Sequence, residues 1–146
     1  MKEGNNMNWE KFLQGGKWGI TLIGTVITWL LGSWDTALIV LIAFMVIDYI
    51  TGIIKAYTRK ELSSDVGLHG IARKFLIILV LIVAVLLDRL LNTGTWVFRT
   101  LVCYFYIANE GISILENAVM LGLKVPEQLK EALIQLSSKD TKNKEE

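Results

Sequence analysis

The sequence predicts an all-α membrane protein, with about four transmembrane helices followed by a short C-terminal amphipathic helix. Of its 146 residues, 53% are hydrophobic, where a soluble domain holds about 45–50%, and the mean hydropathy is +0.47. The apolar residues come in long blocks rather than at the period of a surface helix or strand. The cations gather in three segments: Lys2, Lys11 and Lys17; then Lys55, Arg59, Lys60, Arg73 and Lys74; then Lys124 onward. Blocks long enough to cross hydrocarbon, separated by basic connections, are the pattern of a multi-pass helical protein.

The remaining composition narrows the function classes. A net charge of +1 gives no reason to expect nucleic acid. The single cysteine, Cys103, lies in an apolar run and has no internal disulfide partner. The single proline, Pro126, interrupts no apolar block. The start, MKEGNNMNWEKF, is polar and mixed in charge, and no small-residue cleavage site follows the first apolar run, so no secretory signal is expected.

Residues 1–17 read as a polar N-terminal segment. Within it Trp9, Phe12 and Leu13 recur at helical spacing, as in a short interfacial helix over 8–14. The first span is expected at 18–34, bracketed by Trp18 and Trp34 as an aromatic belt brackets a membrane. Asp35 stands where it can cap the second span, 36–57. On that span Asp48, Gly52, Lys55 and Arg59 share a face. Asp48 lies about 18 Å from the outer end, near the midplane, while Lys55 can snorkel to the cytoplasmic interface.

The stretch from Thr58 to Gly70 holds Ser63, Ser64, Asp65, Gly67 and Gly70, which favour a turn. Its lone histidine, His69, has no partner ligands, so no metal site is expected. A third span is expected at 74–91, with Asp88 and Arg89 reaching the headgroups at its outer end. The fourth, 96–123, is the least apolar. Arg99, Tyr106, Asn109, Glu110, Ser113, Glu116 and Asn117 fall within an arc of roughly 120° on it. Leu101, Phe105, Ala108, Ile112, Leu115 and Val119 occupy the opposite face. Residues 124–137 form an amphipathic helix opened by Pro126, with Leu129, Leu133 and Leu136 on one side, and 138–146 form a charged tail. Together 18–123 make the transmembrane domain. The three basic segments place both termini and the central connection in the cytoplasm.

The fourth segment has a problem of energy. About ten apolar residues favour its insertion by roughly 3–6 kcal/mol in all. Each charge near the centre costs about 2.5–3.5 kcal/mol. Arg99, Glu110 and Glu116 therefore cancel the gain unless they meet protein, water or a counter-charge. Either they form a buried polar seam within one chain, or they line an aqueous space after subunits associate. Asp48 and Gly52 are candidates for the same contact, with Arg99 or a glutamate-bearing neighbour as partner of Asp48. No catalytic site is expected: the chain has no nucleophile with a base in reach and no phosphate-binding loop.

The residues now in view carry a resemblance. Asp48, Thr51-Gly52, Lys55-Ala56, Ser63-Ser64, Gly67, Gly70 and Lys74, then Asp88, match a known pattern in order. The block NEGISILENAVMLGLKVPEQLKEAL, Asn109 to Leu133, matches it most specifically. The chain resembles the phage holin family that includes clostridial toxin-secretion holins. The resemblance covers roughly Ile39 to Leu133. It implies a non-enzymatic protein of the bacterial host cytoplasmic membrane, one that oligomerises and opens a lesion. Its partners would be the lipid bilayer and further copies of itself. An endolysin or toxin would pass without a required direct contact, and no cofactor is implied. Two other readings stay open: a small proton-coupled or multidrug-type transporter, and an antiholin that restrains another holin. The first span lacks the acid such a transporter would carry there.

Overall fold

The computed structural model describes the backbone of residues 6–138 and the side chains of residues 13–136. The expected charged tail beyond residue 138, and the Trp9 and Phe12 side chains of the expected interfacial helix, lie outside these described residues. The described residues form five helices and no strand: α1 Asn6–Leu31, α2 Thr36–Thr58, α3 Ser64–Leu90, α4 Val97–Met120 and α5 Glu127–Ser138. They fall into two compact units, residues 1–33 and residues 34–146.

The first unit is α1. The separate short helix and span expected there form one continuous helix of 26 residues. No proline interrupts it, and the Thr21 and Thr25 hydroxyls donate to the carbonyls of Lys17 and Thr21 at 2.9 and 2.8 Å. The threonines thus satisfy their own polarity on a helix side that also carries exposed Trp18 and Leu22. The helix stops at Leu31 rather than continuing to Trp34, because Gly32 takes a positive φ of 79°.

The second unit holds α2 to α5, with α4 at its centre, packed against α2, α3 and α5; α2 and α3 meet each other far less. Asp35 caps α2 as expected, its carboxylate accepting the Leu38 N–H at 3.0 Å. Leu38, Leu41 and Met45 then bury one stripe of α2. On α3 the buried stripe is Ile77, Leu81, Ala84, Val85 and Asp88.

The expected loop over 58–70 is corrected to a tight turn at 59–63. The Ser63 hydroxyl caps α3 by accepting the Val66 N–H at 3.3 Å, and Asp65 complements the helix dipole in its first turn. Gly70 serves packing rather than turning. A methyl group there would lie 3.1 Å from two ring carbons of Tyr49, so the glycine lets α2 approach α3. Similarly, a methyl group on Gly111 would lie 2.8 Å from Leu133 and 3.1 Å from Phe44. The apolar edge of α5 and the ring from α2 both seat on that bare patch of α4.

The fourth helix ends at Met120 rather than Leu123. Gly122 has φ 90°, the Leu123 N–H donates to Ala118 O at 3.0 Å, and the Gly122 N–H donates to Val119 O at 2.9 Å. This is a Schellman ending, which needs a residue tolerant of positive φ.

Two of the described helices, not four, have the length and apolarity to cross a membrane alone: α2 and α3. Only 17% of the most apolar window of α2 and 22% of that of α3 is buried. A soluble core helix would hide such a surface, so these faces suit lipid. In α1 the stretch free of charged residues runs only from Trp18 to Leu31, 14 residues. In α4, Arg99, Glu110 and Glu116 interrupt the run.

Candidate functional site

Polar residues meet inside the α2–α3–α4 bundle at two levels. A hairpin turning at Glu61 sets Asp48 opposite Lys74, thirteen residues to either side. It also sets Asp35 opposite Asp88. On α4, Arg99 stands at one level, and Glu110 and Asn117 at and below the other.

At the inner level the Lys74 ammonium bridges the carboxylates of Asp48 and Glu110. The side chains of Lys74, Asp48 and Glu110 keep 13%, 14% and 3% of their surface. Asn117 extends the network. Its Nδ2 donates to Asp48 Oδ1 at 3.3 Å and to Thr51 Oγ1 at 3.1 Å, and its Oδ1 accepts from Lys55 Nζ at 2.6 Å. The Thr51 hydroxyl returns a bond to the Asp48 carbonyl at 3.0 Å. Asp48 and Glu110 balance Lys55 and Lys74, so the network is neutral in formal charge. Helical spacing supplies it: Asp48, Thr51 and Lys55 stack at i, i+3 and i+7 on α2, and Glu110 and Asn117 stack at i and i+7 on α4.

At the outer level the Arg99 side chain is wholly buried and reaches Asp35 with two hydrogen bonds. Nη1 donates to Oδ2 at 2.7 Å and Nη2 to Oδ1 at 3.1 Å. Such a paired fork fixes direction as well as charge. The guanidinium holds the Asp35 carboxyl below its ordinary range, with help from the Leu38 N–H. Asp88, 4% exposed, takes a different task. It accepts the backbone N–H groups of Phe98 and Arg99 at 3.1 and 2.9 Å, and the Thr93 hydroxyl at 3.1 Å. A carboxylate from α3 thereby caps the N-terminus of α4, where Trp96 offers no side-chain cap.

These positions correct several expectations. Asp88 turns inward to α4 rather than outward to the headgroups, whereas Arg89 sits over the Trp96 ring at 5.4 Å. Asp48 pairs with Lys74, not with Arg99, whose carboxylate partner is Asp35. The seven polar residues of α4 do not share one environment. Arg99, Glu110 and Asn117 are buried; Tyr106, Asn109 and Ser113 are half-buried; Glu116 is exposed. Ala108, expected on the apolar outer face, is buried. A methyl group on Gly52 would lie 3.9 Å from the Asn117 amide nitrogen, an ordinary contact. His69 is exposed, its Nδ1 3.2 Å from the Asp65 carbonyl, and no cluster of three metal-ligating side chains occurs among the described residues.

Sequence reasoning missed Lys74, which it counted as a loop cation, and gave Asp35 only a capping role. The symmetry of the hairpin about residue 61 was the available signal for both.

Residues 25–138 match a family model described as the bacteriophage holin family. A 14.9 kDa protein of the nagH 3′ region of Clostridium perfringens is 59% identical over 123 residues, covering 84% of this chain and 93% of its own. The protein Lmo0128 of Listeria monocytogenes is 40% identical over 129 residues, covering 88% of this chain and 91% of its own. The probable holin of Bacillus phage phi105 is 48% identical over 82 residues, covering 56% of this chain and 59% of its own. No solved structure matches this chain.

Proposed function

The chain belongs to the bacteriophage holin family, and we propose that it acts as a holin, oligomerising in the bacterial cytoplasmic membrane and opening a lesion there. The lesion releases an endolysin or a toxin without direct contact and without catalysis. The observation that carries this reading is how α4 satisfies its polar side chains. Within one chain Arg99 is matched by Asp35, the cap of α2, Glu110 by Lys74 of α3, and Asn117 by Lys55 of α2.

Pairing removes most of the cost of about 2.5–3.5 kcal/mol that each lone charge would add at depth. It therefore lets α4 cross beside α2 and α3, which cross on their own apolarity. The paired state is the sealed one. In an assembly of many copies, water replaces the partners and the stripe of α4 faces the lumen, with half-buried Tyr106, Asn109 and Ser113 at its edge. Exposed Glu116 and half-buried Asp48 and Gly52 belong to the same contact surface. With α1 as a further crossing, both termini lie in the cytoplasm, in keeping with the cations at Lys2, Lys11 and Lys17 and from Lys124 on.

Expression alone in a bacterium tests the activity. A holin stops growth abruptly after a delay and frees a co-expressed cytoplasmic endolysin. Continued growth at full membrane accumulation would overturn the reading. Topology is checked in a Cys103→Ser background. A cysteine replacing Ser33 or Thr93 is expected to react with an impermeant thiol reagent outside intact cells, and one replacing Ser64 is not. Labelling at position 64 before growth stops would invert the topology.

A further inference from the structure

We propose that the cavity at the turn end of the α2–α3 hairpin binds the phosphate headgroup of an anionic phospholipid from the leaflet on that side. The cavity measures about 320 Å³ and lies just below the inner ion network. Its lining includes Lys55, Arg73, Lys74, Tyr49, Ser113 and Asn117. Ammonium, guanidinium, hydroxyl and amide groups are the donors that a phosphate diester accepts from.

The charges there are unequally matched. Lys74 is held by Asp48 and Glu110. Lys55 has the neutral amide oxygen of Asn117 at 2.6 Å but no carboxylate. Arg73 is exposed and makes no ion pair among the described residues. Lys55 and Arg73 therefore line one cavity without a direct ion pair, and with Lys74 the lining holds three cations against the two carboxylates of Asp48 and Glu61. Such a pocket between membrane helices attracts anionic headgroups.

Depth and shape agree with a lipid as the source. Lys55 stands three residues from the end of α2, about 5 Å of helix. Arg73 stands nine residues into α3, and side chains lean toward the N-terminus of their own helix, so its long stem runs toward the same end. Both cations can thus reach the headgroup level. Since α2 and α3 barely meet, the cavity lies between two helices that face lipid. Ile53 and Val66 also line it, and exposed Ile50, Ile54 and Ile71 continue the apolar surface for acyl chains. A free phosphate would use the donors but leave that surface without purpose.

This inference rests on the membrane reading of α2 and α3, but not on lesion formation. The test uses the full chain reconstituted into phosphatidylcholine vesicles. Spin-labelled phosphatidylglycerol and spin-labelled phosphatidylcholine serve as probes, and the motionally restricted lipid is counted. Wild type is expected to prefer phosphatidylglycerol by about fivefold to tenfold, the scale of one to two cations near a membrane surface. Lys55→Gln with Arg73→Gln is expected to abolish the preference. Lys124→Gln with Lys130→Gln removes equal charge elsewhere and is expected to keep it. Arg73→Gln alone, at an exposed side chain that spares the fold, is expected to lower the preference at least twofold.

Equal loss in both double variants, or no effect of Arg73→Gln, would overturn the site. If millimolar inorganic phosphate displaces the spin-labelled lipid completely, the pocket is a free-anion site and the lipid assignment fails. Failure of the chain to insert would sink the membrane reading as well. A growth-arrest assay run alongside keeps the functions apart, because headgroup preference without arrest would leave this site standing and remove the holin activity.

Discussion

The two polar levels of the bundle use the same residue types for different work. The outer level is built from helix ends. Asp35 caps α2 and Asp88 caps α4, and each carboxylate also fixes a second group, Arg99 or Thr93. Asp35 keeps 43% of its side-chain surface, so solvent shares its charge. The inner level is built from the middles of helices. Asp48, Lys74 and Glu110 lie ten or more residues from the nearest helix end, nearly enclosed, with no helix terminus to satisfy. Helix ends carry unsatisfied groups that demand partners in any state, so the outer level is a clamp. Mid-helix charges demand partners only while they are dry. The inner level is thus the one whose partners water can replace.

Breaking the inner level carries the largest expected effect. Lys74→Met leaves two nearly enclosed carboxylates facing one another with no cation, at a cost of about 3–5 kcal/mol. Denaturant unfolding in micelles measures it. A triple variant with Asp48→Asn and Glu110→Gln is expected to recover most of the loss, since it removes the stranded charges. If the triple variant is no more stable than Lys74→Met, the three residues do not act as one unit.

The outer level is expected to give less. Arg99→Met frees Asp35, but water can solvate that half-exposed carboxylate, so the loss is about 1–3 kcal/mol. The same unfolding measurement ranks the two. A larger cost at Arg99 than at Lys74 would reverse this ranking of the two levels.

Acid sharpens the comparison at the lowest amplitude. Arg99 depresses the Asp35 carboxyl below its ordinary 3.8, so the native state binds that proton less readily than the unfolded chain. The resulting stability is fully present above pH 3.8 and fades as pH falls through the lower native value. In Asp35→Asn that part of the acid transition is expected to vanish, while stability at neutral pH drops modestly. An unchanged acid limb in the variant would show that Arg99 does not hold this carboxylate.

Much of this arrangement was legible in the sequence. Unbroken apolar runs declared α2 and α3, and Asp35 before a run declared its own cap. The insertion balance of α4 declared that Arg99 and Glu110 need partners. The identity of those partners was not legible locally. Gly67 and Gly70 spoke for a loop, and that reading put Lys74 at the surface; in the structure Gly70 makes room for Tyr49 within a helix. Asp88 was equally opaque, because a cap donated by another helix leaves no signature beside the terminus it serves. The endpoint of α1 depended on one backbone angle at Gly32. The role of Gly111 depended on where α5 comes to rest, which no periodicity reports.

The distance between the two levels has an electrical consequence. Asp35 and Asp48 are thirteen residues apart on the chain, and Arg99 and Glu110 eleven, or about 20 and 17 Å of helix. Between them lie Leu41, Met45, Leu81, Ala84, Cys103 and Ile107, all buried and all apolar. In the membrane placement proposed above, the insulating layer inside the protein is thinner than the roughly 30 Å of surrounding hydrocarbon. Where water fills the cavity below Lys74, the transmembrane voltage falls across this shorter path. The local field is then about 1.5 times that of the surrounding bilayer, by the ratio of the two thicknesses. The dielectric weak point of the membrane would lie within the bundle, bounded by a buried arginine on one side and a half-buried lysine on the other.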